Sequence, residues 1–225
     1  MLRSLVNLLY PNLCAACQEV LLKNENVICY NCMVDIPRSF YYQDMENPIA
    51  KLFWGKIKLE LALSAFTFIK QGKVQRLMHE LKYKGNTKVG ELMGIELGKE
   101  IDKVEITDKV DLVIPVPLHK KKLKQRGYNQ STFIAIGVAK VLACEINTTL
   151  LKRLELSESQ TKKSKYERWE NVGSAFTLTD ANQYKGKHIL LVDDVVTTGA
   201  TLEACCKKLK EIKGVKLSVG TLASA

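Results

Sequence analysis

No apolar run in the sequence approaches the ~20 residues that a transmembrane helix needs, and no internal repeat is present. The apolar stretch at the N-terminus is interrupted by Asn7 and ends at Pro11, and no small-residue cleavage site of the kind that ends a signal peptide follows it. We interpret this start as a short amphipathic helix. The expectation is a cytoplasmic protein without membrane insertion.

The composition is ordinary for a soluble globular protein except in its charge. Of the 225 residues, 46% are hydrophobic and 26% are charged. The net charge of +10 and the pI near 9.2 favour anionic partners such as phosphates or nucleic acid. A surface that is basic only for solubility gives the same composition.

The stretch from Ile189 to Thr201 reads Ile-Leu-Leu-Val-Asp-Asp-Val-Val-Thr-Thr-Gly-Ala-Thr. It starts as the continuous apolar run of a buried parallel strand, predicted over 188–192. Two carboxylates, Asp193 and Asp194, then lead into a turn of small and hydroxyl-bearing residues. A helix with one apolar face is predicted after the turn, over 202–212.

This order of groups is suited to binding a sugar phosphate. The start of a helix offers free backbone N–H groups and a partial positive charge to a phosphate. Gly199 permits a close backbone approach, and the two carboxylates can accept hydrogen bonds from ribose hydroxyls. The alternative is a strand, an acidic turn and a Thr-capped helix without a ligand. Since each of these features is common singly but not in this full order, the pattern favours a ligand.

Four of the seven cysteines form two C-x2-C pairs separated by eleven residues, and they are Cys14, Cys17, Cys29 and Cys32. Two such pairs supply the four thiolates of one tetrahedral zinc. Disulfides and a redox pair are the alternatives. A reducing cytosol argues against disulfides, and the lack of a strand–CxxC–helix context argues against a redox pair. We predict a structural zinc site, because all four ligand positions are filled by protein.

The other elements predict an α/β domain, 46–225, that follows a zinc module, 1–45. Strands are expected at 61–69, 111–118, 150–154 and 215–222, and helices at 74–81, 87–101 and 129–142. Glycines at 90, 94 and 98 form one stripe on the second helix, which permits close packing against another element. An aromatic linker, 39–55, is expected to dock on the main domain.

Two polar segments are further candidates for anion binding. The first, 119–130, has five cations within seven residues directly after a predicted strand, and we interpret it as a loop that meets a pyrophosphate or a nucleic-acid backbone. The second, 157–172, lacks periodicity and is typical of a long loop or lid. A solvated basic loop is the alternative for the first segment, although its position after a buried strand favours a ligand. Disorder without a role is the alternative for the second.

The order of these blocks resembles the ComF family, whose members are zinc-module proteins with a phosphoribosyltransferase-like domain, linked in several bacteria to natural competence. The resemblance covers essentially the whole chain. It rests on the four cysteines, Pro115-Val116-Pro117-Leu118, Arg126-Gly127-Tyr128-Asn129-Gln130 and the motif at 189–201. Ser164, Glu167, Arg168, Asn171 and Val172 match a second polar block, whereas Lys163, Trp169 and Glu170 depart from its commoner form.

The resemblance implies a type I phosphoribosyltransferase fold, a parallel sheet flanked by helices, that binds phosphoribosyl pyrophosphate (PRPP) with Mg²⁺. Asp193 and Asp194 would hold the ribose and serve as the catalytic pair. The 5-phosphate and pyrophosphate would contact the motif loop and the segment after the earlier strand, namely Val195, Val196, Thr197, Thr198, Gly199, Ala200, Thr201, Val116, Pro117, Leu118, His119, Lys120 and Arg126. The segment 157–172 would be the flexible loop.

Two functions follow from this resemblance. One is transfer of phosphoribose to an acceptor that the sequence does not reveal. The other is non-catalytic handling of single-stranded DNA, with the PRPP fold used as a sensor or scaffold and with the DNA-uptake machinery as partner. Purine-salvage relatives often carry aspartate where this chain has Thr197, so purine chemistry is disfavoured and no general base is identified. The oligomeric state is left open.

Overall fold

A five-stranded parallel sheet forms the centre of the computed structural model, which describes residues 11–104, 109–154 and 175–225. The strands are β1 (Leu61–Thr67), β2 (Leu112–Pro115), β3 (Glu145–Ile146), β4 (Leu151–Arg153), β5 (Phe176–Leu178), β6 (His188–Val196) and β7 (Lys216–Ser224). The spatial order in the sheet is β1-β7-β6-β2-β3, and β4 and β5 form a separate antiparallel pair.

Helices cover both faces of the sheet. The described α-helices are α1 (Tyr30–Asp35), α2 (Pro48–Lys51), α3 (Lys73–Tyr83), α4 (Thr87–Asp102), α5 (Lys120–Arg126), α6 (Gln130–Leu142) and α7 (Ala200–Leu209). Two 3₁₀ turns lie at Tyr41–Gln43 and Ala181–Tyr184. None of the helices in the described part of the chain is both long and apolar enough to cross a membrane.

Strand β6 shows why the sheet is buried on both faces. Leu190 and Val192 belong to the apolar cluster that contains residues of α3, α4 and α6. Ile189 and Leu191 belong to a second cluster with residues of α7. Successive side chains point to opposite faces of a strand, so a strand buried on both faces needs a continuous apolar run. The parallel α/β fold predicted from the sequence is confirmed.

The glycine stripe of α4 packs against α6. A Cβ at Gly94 would lie 2.2 Å from the carbonyl oxygen of Ile134, and a Cβ at Gly137 would lie 2.1 Å from that of Glu91. Real Cβ atoms do not approach backbone so closely, so each helix needs a glycine where the other passes. The two helices therefore meet backbone to backbone.

The N-terminal cysteine-containing segment and the aromatic linker both pack on the main domain. Arg38, directly before the linker, forms ion pairs with Glu96 at 2.5 Å and with Glu100 at 3.0 Å, which ties the start of the linker to α4. Phe53 is buried with residues of α7 in the second cluster. This confirms that the linker docks on the main domain.

Several boundaries differ from the sequence-based expectations. Strand β6 runs on to Val196, because residues 193, 195 and 196 still pair with β7. The segment at 119–126 is a helix instead of a loop, since His119 caps it and Gly127 ends it with a φ of +79°. The strand expected at 150–154 pairs with β5 outside the main sheet. The two-residue strand β3 was not predicted, because it is exposed and too short to show a period.

Two expectations fall outside the described residues. These are the amphipathic helix at the N-terminus and the long polar loop at 157–172.

Replacing Gly94 by alanine tests the contact between α4 and α6. We expect Gly94→Ala to lower the free energy of unfolding by about 1–3 kcal/mol, because the added methyl group forces two backbones apart. Denaturant unfolding measures the change. Lys88→Ala, an exposed change on the same helix, is the control and should shift stability by no more than about 0.5 kcal/mol. Equal stability of the two variants would contradict the packing described here.

Candidate functional site

Two adjacent carboxylates lie at the carboxyl end of β6. Ser131, at the start of α6, donates a hydrogen bond from Oγ to Oδ1 of Asp193 at 2.8 Å. The backbone N–H of Asp194 donates to the same oxygen at 2.9 Å. Asp194 is 6% exposed, and Nζ of Lys82 lies 2.7 Å from its Oδ2. Both acids are thus held from two helices, α6 and α3.

Lys82 and Asp194 form a buried ion pair. Nζ lies 2.7 Å from Oδ2, which accepts no other hydrogen bond among the described residues. The lysine compensates the charge of the carboxylate, and because a carboxylate oxygen has two lone pairs, a ligand hydroxyl can still donate to it.

The pKa of the Asp193 carboxyl is raised to about 7. Burial is the largest cause, and the neighbouring charge of Asp194 acts in the same direction. Hydrogen bonds from Ser131 and from the Asp194 backbone oppose the rise, as does the charge of Lys82. Asp193 therefore exchanges a proton near neutral pH, and the groups around it decide how much of it is ionised.

A turn with exposed hydroxyls follows the carboxylates. Thr197 and Thr198 are exposed, Gly199 has a φ of +74°, and α7 begins at Ala200. Gly199 has no side chain to cap the helix, and Oγ1 of Thr198 accepts the Ala200 N–H at 3.5 Å. The start of a helix, next to exposed hydroxyls, is where a phosphate binds.

The rest of the predicted motif loop divides between core and surface. Val196 is buried and Val195 is partly buried, so their side chains serve packing and their backbone is what a ligand can reach. Ala200 and Thr201 are exposed in the first turn of α7. A Cβ at position 199 would stand 3.4 Å from Cβ of Leu52, so the aromatic linker lies directly behind the turn.

The second predicted loop starts where β2 ends. The Val116 N–H donates to the carbonyl of Val192 at 2.8 Å, and Nδ2 of Asn129 donates to the carbonyl of Val116 at 2.9 Å. These bonds fix the loop beside β6. Pro117 and Leu118 are half-buried, and His119 accepts the Lys121 N–H at Nδ1, 3.2 Å away, as the cap of α5.

Helix α5 carries most of the local positive charge. None of its residues is buried, and five of its seven are lysine or arginine. Lys120 lines a cavity of about 460 Å³ whose wall also includes Lys152 and Arg153. Arg126 turns towards α3, with its guanidinium 5.3 Å from the ring centre of Tyr83 and 2.7 Å from Oε1 of Gln130.

Sequence reasoning missed two residues of this site, Lys82 and Ser131. Val74 and Met78 are buried at four-residue spacing on α3, and Lys82 continues that row. A lysine on the buried face at the end of a helix was therefore a usable signal. Ser131 gave no such signal, because a serine in the first turn of a helix is usual.

The four N-terminal cysteines come together as predicted. Their Sγ atoms lie within 4.8 Å of one another, and those of Cys17 and Cys29 are 3.8 Å apart. Thiolates around a tetrahedral zinc at about 2.3 Å are separated by about 3.8 Å, so the cluster fits a metal of that size. Backbone N–H groups of Ala16 and Cys29 point at Sγ of Cys14, at 3.4 and 3.2 Å.

These N–H groups favour a thiolate. Burial acts to raise the pKa of the Cys14 thiol, but hydrogen bonds from the backbone of Cys17, Cys29 and Ala16 outweigh it, and the pKa falls to about 7. Burial raises the pKa of Cys32. Four thiols so close together are not all ionised without a cation among them, which is the electrostatic situation of a metal site.

Comparison with known proteins agrees with this geometry. Residues 119–225 match the phosphoribosyl transferase domain family. "Competence protein F" of Haemophilus influenzae is 25% identical over 95% of this chain and 90% of its own length. "Competence protein ComFC" of Bacillus subtilis is 28% identical over 89% and 85%. "DNA utilization protein YhgH" of Escherichia coli K12 is 30% identical over 56% of each chain.

Among solved structures, a purine phosphoribosyltransferase from Pyrococcus horikoshii overlaps 60% of this chain and 73% of its own, with 16% identity and a TM-score of 0.40. So distant a likeness carries no argument. The parallel sheet, the motif at the end of β6 and the family match define a protein with a type I phosphoribosyltransferase fold. The two relatives that match nearly end to end are both competence proteins, which supports the resemblance to the ComF family.

Proposed function

We propose that the protein binds PRPP at the carboxyl ends of β6 and β2. The observation that carries this proposal is the pair of adjacent carboxylates, Asp193 and Asp194, at the end of β6 and directly before a turn suited to phosphate. A ribose 5-phosphate needs acceptors for its two hydroxyls and donors for its phosphate. The carboxylates offer the acceptors and the turn offers the donors, and the two are only a few residues apart in the chain.

Each part of the ligand has its partner under this proposal. The ribose hydroxyls donate to Asp193 and Asp194, and the 5-phosphate accepts from the turn at 197–201. The pyrophosphate meets the loop at 116–120 and Arg126. No acidic residue occurs between Pro115 and Arg126, so Mg²⁺, which prefers carboxylate, phosphate and water oxygens, would be held mainly by PRPP itself. The bound ion would screen the charge of the pyrophosphate.

Phosphoribosyl transfer is the reaction that such binding serves. Pyrophosphate leaves the ribose C1 and an acceptor replaces it. This chain contributes position, by fixing the sugar on Asp193 and Asp194, and it contributes positive charge near the departing pyrophosphate through Lys120 and Arg126. Thr197 does not titrate near neutral pH, so the proposal names no general base and disfavours purine acceptors.

Calorimetry with PRPP and Mg²⁺ tests the binding. We expect Asp193→Ala with Asp194→Ala to weaken affinity at least about 100-fold, because two hydrogen bonds to charged groups are lost, at about 1.5–3 kcal/mol each. Asp111→Ala is the matched control, since this carboxylate bonds the His188 N–H at the opposite edge of the same strands.

Wild-type affinity retained in the double variant would refute the site. Turnover is followed separately, as pyrophosphate release in the presence of candidate acceptors. Binding without release in any of them would favour the sensor role over the transferase.

We further propose that residues 1–45 form a module held by one structural zinc on Cys14, Cys17, Cys29 and Cys32, followed by the phosphoribosyltransferase-like domain at 46–225. The support is the thiol cluster and its N–H···S bonds. Elemental analysis should find one zinc per chain, and Cys14→Ser with Cys29→Ser should abolish it. The double change Cys205→Ser with Cys206→Ser, in α7, is the control and should keep the metal. Purified wild-type protein without zinc would end the proposal.

A second candidate function is binding of single-stranded DNA during uptake. The observation that favours it is α5, a helix of mostly basic residues, none of them buried, beside a cavity lined by Lys152 and Arg153. The names of the relatives, which refer to competence and DNA utilization, point the same way. Backbone phosphates would contact α5, so binding should weaken steeply with salt.

Fluorescence anisotropy with a labelled single-stranded oligonucleotide measures the binding constant over a range of salt concentrations. Replacing four lysines of α5 by glutamine, at 120, 121, 122 and 124, should reduce the slope of log binding constant against log salt concentration by about 3, since each lost phosphate contact removes about 0.7. A control with the same net charge carries glutamine at Lys58, Lys88, Lys185 and Lys213. Equal slopes in both variants would exclude α5 as the interface.

A further inference from the structure

Helix α3 begins in contact with the cysteine module. Nη1 of Arg76 donates to the carbonyl of Ala16, 3.3 Å away, and Ala16 lies between the first two cysteines. Nζ of Lys73 forms an ion pair with Asp35 at 2.9 Å. Val74 and Leu77 belong to the same apolar cluster as Cys14 and Cys32. Two polar contacts therefore join the module to this helix, and module and helix both contribute side chains to one apolar cluster.

The same helix ends at the carboxylate pair. Lys82 reaches Asp194 at 2.7 Å, and the carbonyl of Leu81 accepts a hydrogen bond from the hydroxyl of Tyr128. The helix has eleven residues and is therefore about 16 Å long. One straight element thus has the thiol cluster at its first turn and the candidate ribose site at its last.

We propose that the cysteine module has a second role besides folding: through α3 it positions Lys82 against Asp194 and so keeps the carboxylate pair ready to accept ribose hydroxyls. Lys82 is a positioning residue in this scheme, since it acts through Asp194. The consequence for ligand affinity rests on the proposed PRPP function, whereas the coupling between module and carboxylates does not.

The physical basis is charge compensation. Two neighbouring carboxylates, of which Asp194 is buried and Asp193 partly buried, resist joint ionisation, and a protonated carboxyl offers fewer acceptor sites. The groups that face this pair are Lys82 from α3, Ser131 from α6 and the neutral thiol of Cys205 from α7. Lys82 is the cation among them. If α3 moves and withdraws Lys82, only the hydrogen bonds from Ser131 and from the backbone remain to stabilise the negative charge of the carboxylate pair.

Carbon-13 NMR of the aspartate carboxyls, in the zinc-loaded full-length chain, tests the coupling. Lys82→Met should move the titration of the pair to higher pH by about one pH unit, because an opposite charge is lost. Asp35→Ala with Arg76→Ala removes both polar contacts of α3 with the module, and should move the titration in the same direction by a smaller amount. Lys140→Ala, which removes an ion pair between α6 and α4, is the control and should leave it unchanged.

Calorimetry with PRPP and Mg²⁺ gives the second readout. We expect the dissociation constant to rise about tenfold in Lys82→Met and about fivefold in the Asp35–Arg76 variant, with recovery in Lys82→Arg. Zinc content and unfolding curves must match the wild type, which separates positioning from loss of the fold.

An unshifted carboxyl titration in the zinc-loaded Asp35–Arg76 variant would overturn the coupling. If that variant loses its zinc, Arg76→Ala alone replaces it and the same outcomes apply. If the wild-type protein does not bind PRPP while the variants still show shifted carboxyl titrations, the PRPP proposal is refuted and the coupling stands.

Discussion

Strand β6 is paired on both sides, with β2 and with β7, and the rest of the structure depends on that pairing. A strand in this position has no free edge, and both its faces are covered up to the carboxyl end of the sheet. Its sequence therefore has to be apolar up to that end, and polar residues can begin only there. The change from Val192 to Asp193 occurs at this point, where Pro115 of β2 is the last residue in register.

This constraint makes the site electrostatically demanding. The paired strand continues through Asp193 and Asp194, so both carboxylates sit partly inside the sheet and not on a free loop. Their charge is tolerated because Ser131 and Lys82 reach them from helices that belong to different parts of the chain. A site built this way is specific, since a ligand must supply donors of its own to replace missing solvent.

Much of the fold could be predicted because its signals are local. The apolar runs of β1, β6 and β7, the helical periods and the cysteine spacing each reflect short-range geometry, and all appear in the structure. The boundary errors have physical causes as well. Pairing with β7 extended β6 beyond its apolar run, and the caps at His119 and Gly127 turned a charged segment into helix α5.

The site itself was only half visible in the sequence. The carboxylates, the threonine turn and Gly199 are contiguous, so their order could be recognised in one stretch. Lys82 lies more than a hundred residues earlier and meets Asp194 only after the sheet has formed. Contacts of this kind depend on topology, and no spacing rule in a single sequence records them.

Helix α5 has a consequence for how such a protein can change over time. None of its side chains is buried, and its two ends are set by His119 and by Gly127, whose N–H returns to the carbonyl of Leu123. Substitutions between these ends leave the core untouched. The charge that this helix presents can therefore change, codon by codon, while the carboxylate edge of the sheet stays as it is.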